Sequence, residues 1–217
     1  MNEITRRRLL QMIAAVGATS LIRDALAAGD LPPGLHRLDG TATVNGKAAK
    51  SGDKVNLGDR VATGANSQAV LVIKGDAMLM RADTVIEIKG REGLLSELLI
   101  TSGKVLSVFS KKPLNIRAAT ASIGIRGTGA YVEVDSTSVY FCLCYGEAVV
   151  EGPNLAATTV TTKHHEQPLL LTQRGASLVA EPGPMRNHTD AELVMLEALV
   201  RREPPFVKDG QYPSNKY

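Results

Sequence analysis

The sequence predicts an all-β domain followed by one C-terminal helix. Three observations carry this: short runs of β-branched and aromatic residues between Leu35 and Glu151, glycines that punctuate them, and a single capped helical period near the C-terminus. The runs are "AVLVIKG", "TVIEIKG", "KVLSVFS", "AYVEV" and "SVYFCLCYGEAVVE", each ending at a turn signal. No stretch in this region keeps an amphipathic helical period over ten residues. "EGLLSELLI" (92–100) fits either a helix turn or a strand. Two architectures follow, a two-sheet sandwich or a short β-solenoid. Gly34, Gly40, Gly46, Gly52, Gly58 and Gly64 recur every six residues, as in a left-handed hexapeptide helix. That fold wants an aliphatic residue at a fixed slot, and of the preceding residues (Pro33, Asp39, Asn45, Ser51, Leu57, Thr63) only Leu57 qualifies. The period then breaks at Val70 and Asp76, so it is read as a coincidence of short strands and turns.

Further extended segments, "TTVTTKHHEQ" and "PLLLTQRG", lie between residues 153 and 187 and end at "EPGPM". The last element is of another kind. "TDAELVMLEALVRR" (189–202) opens with a Thr189-x-x-Glu192 capping box and groups Leu193, Leu196, Leu199 and Val200 on one face. Arg201 and Arg202 are expected at its C-terminal end, ahead of Pro204-Pro205. Its apolar face is read as docking on the β-domain, with a partner protein as the alternative. The tail from Glu203 is expected to be loose.

At 217 residues and 44% hydrophobic, the chain can form one domain with a substantial core. With no Trp, three Phe and five Tyr, that core must rest on aliphatic side chains. Net charge is +3, but residues 1–27 hold four Arg against two acids. The remainder, with 21 basic and 20 acidic side chains, is close to neutral. Such a body offers no electrostatic footprint for nucleic acid.

Those first residues read as a targeting segment. Arg6, Arg7 and Arg8 precede 14 uncharged residues, Leu9 to Ile22, and "ALAAGD" supplies an Ala-x-Ala cleavage site after Ala27. The apolar stretch falls short of the ~20 residues a membrane-spanning helix needs. "TRRRLLQ" is similar to the twin-arginine export signal. No Cys follows the cleavage site, which argues against a lipid anchor, and no transmembrane anchor is expected. The expected organisation is a twin-arginine-like signal peptide (1–27), a β-domain (28–152), a β-rich extension (153–187) and a helix with its tail (188–217). The expected location is periplasmic or secreted, an oxidising compartment.

"ASIGIRGTGAYVEV" (121–134) packs Gly124, Gly127 and Gly129 into six positions. A dinucleotide fingerprint needs G-x-G-x-x-G between a strand and a helix. Here the order is G-x-x-G-x-G, and another strand pattern follows, so the glycines are read as a bend between strands. Arg126 is placed at its crest.

Two segments carry a family resemblance: "VATGANSQAVLVIKGDAMLMRADTVIEI" and "SGKVLSVFSKKPLNIRAATASIGIRGTGAYVEV". The first is entered by a turn motif, Gly58-Asp59-Arg60-Val61-Ala62-Thr63-Gly64, and the second holds a "G-I-R-G-T" segment through Gly124, Arg126, Gly127, Thr128 and on to Gly129. Together they resemble the FecR-like domain, the extracytoplasmic module of iron-dicitrate-type signalling regulators, over roughly residues 35–152. The resemblance implies an all-β module without catalytic activity that couples to envelope proteins. The best-known members carry a cytoplasmic anti-sigma segment and a membrane span ahead of the module. This chain has a signal peptide there, as a free-standing exported version would.

"FCLCYG" poses the sharpest chemical question. On a strand, Tyr140, Cys142 and Cys144 face one way while Phe141, Leu143 and Tyr145 face the other. Residues two apart stand about 6.6 Å apart at ~3.3 Å per residue, with parallel side chains, at the upper edge of disulfide geometry. His164 and His165 follow in "KHHEQP", and on a strand only one of them could join the two sulfurs. Three readings stay open: inert core thiols, a strained or intermolecular disulfide, or a site for zinc, copper or iron. No serine sits in a nucleophile-elbow context, so no hydrolase is indicated. The sequence thus points to an exported, non-catalytic binding or sensory module of the cell envelope, without a cofactor, that recognises a protein, glycan or small ligand. The alternative is a periplasmic metal- or redox-cofactor protein using Cys142, Cys144 and His164 or His165.

Overall fold

The computed structural model describes residues 30–210. The signal peptide expected over residues 1–27 lies outside them. The strands are, in chain order, β1 (Gly34–Asp39), β2 (Ala42–Val44), β3 (Lys47–Ala49), β4 (Arg60–Thr63), β5 (Gln68–Ile73), β6 (Asp76–Met80), β7 (Val85–Arg91) and β8 (Leu94–Val108). Then come β9 (Pro113–Ala118), β10 (Ala121–Arg126), β11 (Gly129–Val134), β12 (Ser138–Gly152), β13 (Leu155–Thr162), β14 (Leu169–Arg174) and β15 (Ser177–Pro182). Two helices end the described chain, α1 (Asp190–Leu199) and α2 (Pro205–Lys208). The ambiguous stretch 92–100 belongs to strand β8.

The strands form two packed layers, which settles the architecture as a sandwich of two sheets. The first sheet runs β1-β5-β6-β8-β11-β12-β14-β15. The second runs β3-β2-β4-β7-β8-β9-β10-β12-β13. Strands β8 and β12, each 15 residues long, belong to both, one half in each sheet. All these pairings are antiparallel except β8 with β9. Of the strands of residues 153–187, β13 and β14 pair directly with β12, one in each sheet, and β15 pairs with β14, so the stretch shares the core of the sandwich.

Alternation along the first sheet builds two cores. Ala69, Leu71, Ile73, Met78, Met80, Val105, Val132, Phe141 and Leu143 face the second sheet. Their neighbours Val70, Val72, Ala77, Leu79, Leu106, Tyr131, Tyr140, Cys142 and Cys144 face outward, beneath α1 and α2. Both faces are therefore buried, and the strands read as near-continuous apolar runs, interrupted in β11 by the buried Glu133. The outward face is covered by the chain's own helices: α1 brings Leu193, Leu196 and Leu199 onto it, and α2 brings Phe206.

Thr189 caps α1 as its sequence motif requires: both halves of the capping box are present. Two expectations at the C-terminal end are corrected. The helix stops at Leu199, with Arg201 in the left-handed region (φ 59°), so neither arginine lies in its last turn. Arg202 instead turns back, donating to Glu197 Oε2 (2.6 Å) and the Gly75 carbonyl (2.5 Å). The tail from Glu203 is not loose through residue 210, because α2 follows and Phe206 is buried against the sheet.

Tyr145 is a further correction. A register shift between β11 and β12, with Ala130 opposite Leu143 and Gly129 opposite Tyr145, inserts one extra residue at Cys144. The bulge reverses the alternation, and Tyr145 joins Cys142 and Cys144 on the outward face. Gly129 makes room for it: a Cβ there would lie 2.6 Å from the Tyr145 ring.

The glycine motifs are turn and packing devices. Gly127 (φ 65°) turns β10 into β11, so no helix opens at this segment. Arg126 is exposed and Thr128 buried. Gly124 lines a shallow groove of about 480 Å³ on the outer side of the second sheet. In the earlier motif, Gly58 has φ 99° and the Asp59 carboxylate accepts from the Asn56 amide and the Asn45 side chain, both at 2.7 Å. Thr63 donates to the Arg81 carbonyl (2.6 Å), while Gly64 packs against Thr41.

Candidate metal centre

The sulfurs of Cys142 and Cys144 project from β12 into the layer between the first sheet and α1, and both are buried, unbonded thiols. After β13 the chain bends sharply. The Glu166 carboxylate accepts from the Lys163 and His164 amides (2.7 and 2.9 Å), and the His165 amide donates to the Cys144 carbonyl (3.0 Å). His165 takes φ 60° in this bend, so the two histidines escape strand alternation. Both swing toward Asp190, the first residue of α1. Its Oδ1 lies 2.9 Å from His164 Nε2 and 3.1 Å from His165 Nε2.

The structure brings together three of the four candidate ligands and adds one that the sequence reading missed. Cys142 Sγ lies 3.5 Å from His165 Nδ1, and Cys144 Sγ lies 3.5 Å from His188 Nε2. His188 Nε2 lies 3.2 Å from His165 Nδ1. The four donor atoms all fall within 4.8 Å of one another, and all four residues are buried. His164 stands outside this set: it pairs with Asp190 and stacks on Phe206 at 4.4 Å between ring centroids. His188 lies 44 residues beyond Cys144, and no motif links them. Its one signal was position, immediately before the capping box that fixes the start of α1.

The hydrogen bonds fix how each imidazole is presented. His188 Nδ1 is 2.7 Å from the Arg186 carbonyl, which can only accept, so this nitrogen carries a proton. His165 Nε2 faces the Asp190 carboxylate and likewise donates. In their neutral forms both rings therefore leave a nitrogen lone pair free, on His188 Nε2 and His165 Nδ1, and these two atoms lie 3.2 Å apart, each 3.5 Å from one of the sulfurs. A carboxylate or carbonyl behind each ring is the usual outer support of a metal-ligating histidine.

The dimensions suit one ion. With metal–sulfur bonds of about 2.3 Å and metal–nitrogen bonds of about 2.0–2.1 Å in a tetrahedron, the ligand atoms are separated by about 3.5 Å for S–N and about 3.3 Å for N–N. The observed 3.5, 3.5 and 3.2 Å match three of the six edges, and the other three pairs lie within 4.8 Å. Two thiolates would also neutralise a divalent ion, which favours burial.

Without an ion, protons must do this work. A hydrogen bond from Cys144 pulls the Cys142 thiol down to about 3 against the opposing effect of burial, and His165 and His188 assist. Burial, followed by the nearby Cys142 sulfur, pushes the Cys144 thiol up. Burial works against a charged His165, but the Asp190 and Cys142 hydrogen bonds overcome it and raise the ring to about 9.

No family model matches the chain, and no curated protein matches it. Among solved structures, part of the chain is similar to two crystal structures of a putative anti-sigma factor from Parabacteroides distasonis, at 1.65 and 2.50 Å resolution. Identities are 10% and 12%, with TM-scores of 0.47 and 0.46. Each match covers 57% of this chain and 59% of the other, so the similarity spans under two thirds of either. Among the described residues, no helix is long and apolar enough to cross a membrane.

Proposed function

We propose that this chain is a non-catalytic, zinc-holding β-module, acting as an exported binding or sensory component of the cell envelope of the kind its turn motifs resemble. One observation carries the metal: His165 Nδ1 and His188 Nε2 lie 3.2 Å apart beside two thiol sulfurs. A Cys₂His₂ set in a closed tetrahedron is the signature of structural zinc, whereas catalytic zinc keeps a position open for water or substrate. Four protein donors buried under a helix leave no such position, which supports a structural role. Export is supported by the amino-terminal sequence, and recognition by the resemblance of the Gly58–Gly64 and Gly124–Gly129 segments. Elemental analysis of the purified protein tests the reading. One zinc per chain is expected, with none in a Cys142→Ser/Cys144→Ser variant. A chain that folds, carries no metal and takes up neither zinc nor copper would overturn it.

A further inference from the structure

The four donors come from three separate stretches of chain. Cys142 and Cys144 lie on β12, His165 on the bend after β13, and His188 on the connector from β15 to α1. The connector is otherwise held by polar contacts at its edge. Tyr140 donates to the Pro184 carbonyl (2.8 Å), and the Arg186 guanidinium lies over the Tyr140 ring at 4.3 Å. Glu133 accepts from Asn187 (2.5 Å) and pairs with Arg186 (2.9 Å). Arg81 bridges the Asn187 carbonyl (3.1 Å) and Glu192 (2.7 Å).

The core beneath this segment is distinct from the one between the sheets. Residues of α1 and α2 belong to the outward-facing cluster alone, while the cluster between the sheets is built entirely from strand and loop residues. The two clusters share no residue, so opening of the segment would uncover the outward face and leave the core between the sheets buried. When it opens, His188 leaves the centre and Asp190 leaves His165.

Resting on the metal reading above, we infer that the ion is a latch: zinc binding and the docking of residues 184–210 are one coupled equilibrium, so metal supply sets how often the C-terminal helices leave the sheet. Coupling of this kind is reciprocal. Metal loss must loosen the segment by the factor by which docking strengthens metal binding, and weakening the connector's polar clamp must weaken metal binding once it populates the undocked form. The clamp carboxylate, Glu133, is not a ligand, which makes it the informative handle.

Hydrogen exchange on the full chain, zinc-loaded and chelator-stripped, tests the inference. Stripping is expected to speed exchange of the amides of α1 by about tenfold or more, while β5 and β6 keep their protection. A Glu133→Gln variant is expected to bind zinc more weakly, and His188→Ala to leave α1 open even with zinc present. If zinc binds stoichiometrically but α1 exchanges alike with and without it, the latch is wrong and the metal site stands. If no zinc binds at all, both fall together.

Discussion

Tyr131 lies flat on His188, with ring centroids 4.4 Å apart and planes 25° from parallel. Its hydroxyl donates to Glu133 Oε1 (2.7 Å), the same carboxylate oxygen that accepts from Asn187 next to His188. One strand of the first sheet thus sets both the ring and the backbone of a ligand carried by a distant connector. Tyr131→Leu removes the ring support while leaving all four donors in place. A 10–100-fold loss of zinc affinity is expected, the usual cost of outer-shell changes, measured by competition with a chromophoric chelator. An unchanged affinity would show that His188 is positioned by its own backbone.

Two glycines of the same stretch differ in what an added side chain would meet. Gly129→Ala would place a methyl 2.6 Å from the Tyr145 ring and push that side chain off Glu197, to which its hydroxyl donates at 2.5 Å. A loss of about 1–3 kcal/mol is expected from such overpacking. Gly124→Ala meets nothing nearer than the Val149 carbonyl at 3.9 Å and has no positive φ to strain. Its stability is expected to stay within about 0.5 kcal/mol of the parent, by urea denaturation.

Two buried glutamates are expected to respond to pH with opposite signs. Burial alone would raise Glu133, but the hydrogen bonds from Asn187 and Tyr131 and the charge of Arg186 outweigh it and hold the carboxyl below its usual 4.5. Its stabilisation is therefore complete above that value and is lost as pH falls through the lowered one. Burial raises Glu197 above 4.5, with Arg202 and Tyr145 opposing it incompletely. Its contribution is complete below 4.5 and is lost as pH rises through the raised value. In denaturation series over the acid range, Glu133→Gln is expected to flatten the low-pH loss, and Glu197→Gln the decline toward neutrality.

Phe206 ties the end of the chain to the centre by stacking on His164. It is nearly fully buried, so Phe206→Ala is expected to cost about 3–5 kcal/mol. Thermal melting checks this, and a change below about 0.5 kcal/mol would show that α2 contributes little.

What was legible in the sequence follows from local chemistry. Strand runs, the Thr189–Glu192 capping box and the strand-to-strand bend at Gly127 each depend on residues a few positions apart, and all three are found where the pattern places them. Cys142 and Cys144 share a face because of strand periodicity alone. Tyr145 was misplaced because a bulge depends on what the partner strand needs, and Gly129 stands 16 positions away. His188 was invisible for a related reason: only docking of the connector brings it to the thiols. Phe206 carries no periodic signal, and so a packed segment read as a tail.

X-ray absorption at the zinc edge reads the ligand shell of the ion itself. Two sulfur scatterers at about 2.3 Å and two imidazole nitrogens at about 2.0–2.1 Å are expected around one ion, with a sulfur shell that disappears in Cys142→Ser/Cys144→Ser. An all-oxygen and nitrogen shell, or zinc bound equally well by that double variant, would contradict the Cys₂His₂ centre.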